Sequence, residues 1–286
     1  MKVLFLCTFY HTARLFRDTM DHLEQQGHTV KAFNAVARGA RIAPQCRDIM
    51  DDAVDHVECF TRWDRYVYPL KQSKIRRALL AHVDVAEYDL IHSHSLFNGG
   101  YVAYSLSREL GIPYVVSVRN TDLNVFLRIP VFRAVGRRIA RGAAGLVFLS
   151  ESYRERYLAQ HAPREERDAL RSKSTTIWNG IDDFWLANRG NARHLSDQGS
   201  LRLLAIGSID RNKNHLTTAK AVSLLASRGY QATLTVVGPV ADRAVAKHLE
   251  SMPFVRMVGY LPKEDLLPVF RAHDVFVMPS RHETFG

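Results

Sequence analysis

Four short segments hold residues whose types and spacing could do chemistry. Gly207-Ser208-Ile209-Asp210-Arg211-Asn212-Lys213-Asn214 sets a turn-permitting glycine ahead of two cations, Arg211 and Lys213, and an amphipathic run starts at His215. Cations beside a helix start suit a phosphate or diphosphate. The same residues also fit an ordinary polar loop, and this segment alone leaves the two readings level. The run Met278-Pro279-Ser280-Arg281-His282-Glu283-Thr284-Phe285-Gly286 leaves an apolar strand. Glu283 and the backbone N–H groups beside it could grip sugar hydroxyls there, although a plain strand exit would look similar. His282-Glu283 is not an HExxH zinc motif, because no second histidine follows. His92 and His94 are expected to point to opposite faces of a strand end, which argues against joint metal ligation. One reads as a core histidine, the other as facing a cleft. Arg119-Asn120-Thr121-Asp122 follows another strand, where its polar groups could meet an acceptor or a phosphate, or form a solvated loop.

Other templates fail. No GxGxxG follows the first strand and no Walker loop occurs, which disfavours a plain NAD enzyme or an NTPase. No GxSxG elbow supplies a nucleophilic serine. Cys7, Cys46 and Cys59 show no CxxC spacing, so neither a disulfide framework nor a zinc site is indicated. With no glycosylation sequon, no signal peptide and no apolar run long enough to span a bilayer, a reducing, cytoplasmic setting is the simplest reading.

The formal charge of +10 favours an anionic partner: a phosphorylated substrate, an anionic membrane face or nucleic acid. No aromatic–basic interleaving points to nucleic acid. The segment from Arg128 to Arg141 could lie on an anionic membrane, though a surface helix with a solvated arginine face is slightly favoured.

The elements that must position these residues alternate between short apolar runs and amphipathic stretches, the pattern of a parallel sheet with crossover helices. Strands are expected at 2–7, 28–33, 89–92, 114–118, 146–150 and 175–178, with helices from about 15, at 97–110, 130–141 and 151–160. The region 35–84 reads as a long loop with a basic helix around 71–80. The polar stretch 187–200 marks a boundary, giving domains at 1–190 and 191–286. The second repeats the alternation, with strands at 201–206, 232–237, 254–258 and 275–278 and helices at 215–227, 242–251 and 263–272. Ligands in such sheets bind beyond the carboxyl ends of the strands, where all four segments fall.

Taken in order, Gly207 with Lys213, the stretch Asp274-Val275-Phe276-Val277-Met278-Pro279-Ser280 with Glu283-Thr284-Phe285-Gly286, Asn179-Gly180-Ile181-Asp182 and His92-Ser93-His94 resemble the motifs of retaining glycosyltransferase family 4. Ser208 stands where the family has an arginine and Asn214 where it has a second glycine. Arg211 is read as replacing the missing guanidinium. The resemblance implies a GT-B fold, two doubly wound, Rossmann-like domains facing a cleft, the second incomplete. The first domain would take a glycan or lipid-linked acceptor, near His94, Arg119, Asn120 and Asp122. The second would take a nucleotide-sugar, with Gly207, Ser208, Asn214, Gly238, Leu261, Thr284, Phe285 and Gly286 around it. Lys213 and Arg211 would neutralise the leaving diphosphate and Glu283 would hold the donor sugar. The nucleotide-sugar is a substrate, and neither a cofactor nor a catalytic metal is implied. Surface polysaccharide assembly, at the cytoplasm or the inner membrane face, is the implied setting.

Two departures stand out. Thr8 to Ala13 lacks the glycines usual after the first strand, and the motif's second glutamate lies beyond Gly286. The 286-residue chain is therefore expected to be inactive while its full-length parent is a transferase. The rivals are a nucleotide-sugar epimerase of the same fold, a nucleic-acid-binding protein and a scaffold with a decayed donor site.

Overall fold

A computed structural model describes residues 1–190 and 200–283. The chain forms two compact units, Met1–Gly180 and Ile181–Thr284.

In the first unit, β1 (Lys2–Leu6), α1 (Leu15–Gln25), β2 (Thr29–Ala37), β3 (Val54–Phe60), α2 (Tyr68–His82), β4 (Leu90–Ser93), α3 (Gly100–Leu110) and β5 (Tyr114–Val118) follow in order. Then come α4 (Asn120–Asn124), α5 (Pro130–Gly142), β6 (Gly145–Phe148), α6 (Glu151–Gln160), α7 (Arg167–Ser172) and β7 (Ser174–Thr176). The strands form one parallel sheet in the order β3-β2-β1-β4-β5-β6-β7. Strand β1 shows why its sequence is unbroken in apolar residues. Leu4 and Leu6 enter the core under α2, α3 and α5, whereas Val3, Phe5 and Cys7 enter a second core on the opposite face under α1. A strand covered on both faces needs apolar side chains at every position.

Strand β3 falls inside the stretch expected to be a long loop. It lies at the sheet edge, pairing only with β2, and its middle residues are part-exposed. That leaves Asp55, His56 and Glu58 in a strand without the burial that an apolar run would announce. The segment from Asn120, expected as a loop, forms the helical turn α4 instead. The glycine-poor loop after β1 is filled by Tyr10, which is fully buried in the α1-side core.

In the second unit, α8 (Asp183–Ala187) precedes β8 (Ser200–Ile206), α9 (His215–Ser227), β9 (Gln231–Val237), α10 (Arg243–Glu250), β10 (Val255–Gly259), α11 (Lys263–Arg271) and β11 (Val275–Phe276). The strands are parallel, ordered β10-β9-β8-β11. Helix α8 joins this unit because Asp182 pairs with Lys263 at 2.6 Å and the Trp185 ring meets Phe270 at 5.7 Å. The compact units therefore divide at Gly180, ahead of the polar stretch. No helix among the described residues is long and apolar enough to cross a membrane.

Each sheet has a topological switch point, where connections leave in opposite directions from neighbouring strands: β1 and β4 in the first, β8 and β11 in the second.

At the end of β8 and β9 two backbones touch. A Cβ at Gly238 would sit 2.0 Å from the Gly207 carbonyl oxygen, and Gly238 has φ +152°. No side chain fits there, and the backbone conformation is one that L-residues rarely adopt. Gly238→Ala is expected to cost about 2–4 kcal/mol, lowering the Tm of the second unit by roughly 10 °C or more. Gly190→Ala, with open space around it, should unfold like wild type. Equal melting curves for wild type and Gly238→Ala, by calorimetry or circular dichroism, would show that this contact is dispensable.

Candidate active site

The switch point of the second sheet brings together two of the four segments. The loop after β8 is shaped from within. Gly207 has φ +147°, and a Cβ there would lie 3.2 Å from Cδ and Cε of Lys213, so the missing side chain leaves room for the lysine stem. Asp210 organises the turn: its Oδ1 accepts from the Lys213 backbone N–H at 2.8 Å and its Oδ2 from the Ser208 hydroxyl. Burial pushes the Asp210 pKa up. The hydrogen bonds from Ser208, Lys213 and Asn212 and the Lys213 charge outweigh it, so the carboxyl stays below its ordinary value. His215, buried at the start of α9, reaches the Ser208 carbonyl oxygen through Nε2 at 3.2 Å. Ile209 bridges to Val240 and accepts the Asp242 N–H at 2.8 Å, tying this loop to the one after β9.

The loop is then stitched to the segment after β11. Asn214 donates from Nδ2 to the Pro279 carbonyl at 3.1 Å. Asn212 donates from Nδ2 to the His282 carbonyl at 3.2 Å, and its own carbonyl accepts the Arg281 N–H at 2.8 Å. Lys213 Nζ meets Glu283 Oε1 at 2.5 Å, with both side chains about one quarter exposed (25% and 27%). Lysine and glutamate, 70 residues apart in sequence, thus form one reachable, half-buried pair at the start of α9. Asn214 adopts φ +58°, ψ +32° as the N-cap of α9. Asparagine is among the few residues besides glycine that tolerate this conformation, so its presence in a glycine's place is compatible with the turn.

Arg211 is placed differently. Its side chain is 81% exposed and donates from Nε to Asp242 Oδ2 at 3.3 Å, away from the Lys213–Glu283 pair. Gly238 lies at the end of β9 and Leu261, part-buried, just after β10, on the same carboxyl edge. Thr284, Phe285 and Gly286 lie outside the described residues.

At the switch point of the first sheet the outcome is mixed. His92 and His94 do not diverge: their rings stack with centroids 4.1 Å apart. Residues two apart on a strand share a face, which corrects the expectation of opposite faces. His92 Nε2 meets Ser117 Oγ at 2.9 Å, whereas neither ring nitrogen of the buried His94 has a partner among the described residues. Phe5 and Phe16 pack against the His94 ring. Arg119 donates from Nε to the His94 carbonyl at 3.2 Å and lies 5.5 Å from the centre of the Phe16 ring.

Asp122 is no acceptor contact. It is fully buried, taking hydrogen bonds from Ser95 Oγ and from the backbone N–H groups of Leu96, Phe97 and Arg119 at 2.8–3.2 Å. Its burial raises the carboxyl pKa despite those bonds. The residue clasps the loop after β4 to the start of α4. Asn120, part-buried, accepts from Asn124, which in turn accepts from Arg156 Nη2 at 2.8 Å.

Sequence reasoning missed Asp210 and His215 as loop organisers. Asp210 sat inside the segment and could have been found from its spacing to Lys213, an Asx-type turn signal. His215 gave no such signal, since its role depends on burial under Ser208.

Burial, then the nearby Arg119 charge, lowers the His92 pKa to about 4; burial, then His92 and Arg119, takes His94 well below its ordinary value. Both rings are neutral when folded but take protons below about 6.5 when unfolded. Stability from this pair is therefore complete above that pH and falls as pH drops towards about 4. Urea midpoints measured across this range should fall less steeply in His92→Gln/His94→Gln than in wild type. The same slope in both proteins would contradict this.

The comparisons agree with this architecture. Residues 12–171 match the model of the glycosyl transferase 4-like domain and residues 200–286 that of glycosyl transferases group 1. D-inositol 3-phosphate glycosyltransferase of Pseudarthrobacter chlorophenolicus is 30% identical over 219 residues, 70% of this chain and 50% of that protein. The chain spans about half the length of the curated relatives it matches. Among solved structures, Anabaena HepE in complex with UDP and glucose aligns with TM-score 0.63 at 16% identity, over all of this chain and 76% of its own. UDP-GlcNAc 2-epimerase from Neisseria meningitidis aligns with TM-score 0.57 at 12% identity, over 96% of this chain and 76% of its own. These two likenesses concern the fold. The two matched domains, in this order on two parallel α/β sheets, show that the chain belongs to the GT-B glycosyltransferases.

Proposed function

We propose that the protein is a retaining glycosyltransferase that moves a sugar from a nucleotide-sugar to a glycan or lipid-linked acceptor, in surface polysaccharide biosynthesis. The observation that supports this most is the Lys213–Glu283 pair, built by two separate loops at the switch point of the second sheet. In this reading residues 191–286 take the donor and residues 1–190 the acceptor.

Lys213 trades its carboxylate partner for the donor diphosphate. A cation at the start of α9, whose own N-terminal amides are electropositive, favours the charge that grows on the leaving group. Glu283, released from the lysine, accepts hydrogen bonds from the donor sugar's hydroxyls. Ser208 and Asn214 hold the loop, and Gly238 with Leu261 borders the nucleotide. Arg211 adds its charge by leaving Asp242. On the acceptor side the part-buried Arg119 meets the acceptor, its guanidinium set by the carbonyl of the buried, neutral His94. Transfer proceeds on the face from which the diphosphate departs, with retention and no enzyme nucleophile. No observation favours the epimerase over this reading.

Calorimetric titration of the chain with UDP, GDP and their sugar conjugates tests the donor site. One nucleotide-sugar should bind, and Lys213→Ala should weaken it by roughly 10- to 100-fold, the worth of a charge-assisted hydrogen bond. Glu283→Ala should weaken the sugar conjugate more than the free nucleotide. Failure of the folded chain to bind any of them, or unchanged affinity in Lys213→Ala, would overturn the assignment.

A further inference from the structure

The N-terminal ends of α2 and α5 meet at the carboxyl edge of the first sheet. The Tyr68 ring lies 5.1 Å from Phe132, and Phe97 stacks on Phe126 at 4.8 Å. The Tyr68 hydroxyl donates to the Phe97 carbonyl at 2.9 Å. This ring cluster fixes two exposed apolar segments beside each other. From the α2 side stand Trp63, Tyr66 and Leu70, exposed by 78%, 67% and 45%; from the α5 side Ile129 and Val131, by 44% and 65%. The Trp63 and Tyr66 rings keep company at 6.2 Å.

The surroundings are cationic. Residues 125–142 hold five arginines and no acid. In residues 62–82 the only acid is Asp64, which is buried and held by Lys74 at 2.8 Å. Arg62, Arg128 and Arg138 are exposed, and no ion pair among the described residues engages them. Exposed apolar side chains gathered among charges of one sign mark a site of interaction. Tryptophan and tyrosine favour the headgroup level of a bilayer, and arginines are drawn to acidic headgroups.

We propose that this face docks the protein on an anionic lipid bilayer, with Trp63 and Tyr66 at the headgroup level and Arg62, Arg128 and Arg138 on the acidic lipids. The face lies on the same edge of the first sheet as His94 and Arg119. Docking would therefore present that edge to molecules held in the bilayer. The inference shares no residue with the Lys213–Glu283 site, so either can fail without the other.

The test is co-sedimentation of the whole chain with phosphatidylcholine–phosphatidylserine vesicles and with pure phosphatidylcholine vesicles. Binding is expected only to the acidic ones. Arg128→Ala/Arg138→Ala should weaken it about 25-fold, since each arginine near an anionic surface contributes about fivefold. Trp63→Ala/Tyr66→Ala should weaken it about tenfold or more, with folding checked by circular dichroism. In Trp178→Phe/Trp185→Phe, which leaves Trp63 as the sole tryptophan, emission should shift to the blue on acidic vesicles. Equal binding to both vesicles, or unchanged binding in either alanine pair, would overturn the proposal. So would a Trp63-dependent dimer, or salt-dependent binding to a DNA oligonucleotide, without vesicle binding.

Discussion

The second unit is organised by a contact between two backbones. The carbonyl of Gly207 occupies the position that a Cβ at residue 238 would need. The Gly207 N–H donates to the Val237 carbonyl at 2.9 Å, and the Gly238 N–H to the Gly259 carbonyl at 2.7 Å. The ends of β8, β9 and β10 are thereby drawn into one edge. The same bare glycine at 207 lets the Lys213 stem lie across the turn, towards Glu283. A side chain at either glycine would disturb the lysine or the strand ends that aim it. Close packing makes such an edge discriminating, because there is no slack to absorb an added methyl group.

Both sheets place their polar clusters where connections reverse, but they use different means. In the second, the loop after β8 is held mainly by side chains bonded to backbone, and the Lys213–Glu283 pair stays within reach of solvent. In the first, a buried carboxylate does the holding. Asp122 satisfies both oxygens on the loop after β4 and on its own helix start, and so sets the positions of His94 and Arg119. Removing a fully bonded buried carboxylate would strand several donors at once, which makes Asp122 a structural requirement of this edge of the first sheet.

Much of this was legible in the sequence, for definite reasons. A strand buried on both faces, such as β1, reads as an apolar run, and the glycine–lysine spacing of the loop after β8 stood out. Strand β3 did not, because an edge strand with Asp55, His56 and Glu58 lacks the pattern that burial imposes. The pairing of His92 with His94 follows from strand periodicity and was misjudged. The roles of Asp122 and Arg211 were not readable, since each depends on partners brought in by the fold: three donors on the loop after β4 for one, the cap of α10 for the other. Asn214 looked like a departure from the family's glycine. Its left-handed backbone and its bond to Pro279 explain how asparagine fits the same turn.

The central claim is that a nucleotide's diphosphate takes Lys213 from Glu283 at the start of α9. A crystal structure of the protein with UDP tests it most directly. The account predicts diphosphate oxygens within hydrogen-bonding distance of Lys213 Nζ, with the Lys213–Glu283 contact opened and the Gly207–Gly238 edge unmoved. UDP bound elsewhere, or bound with that ion pair intact, would contradict it.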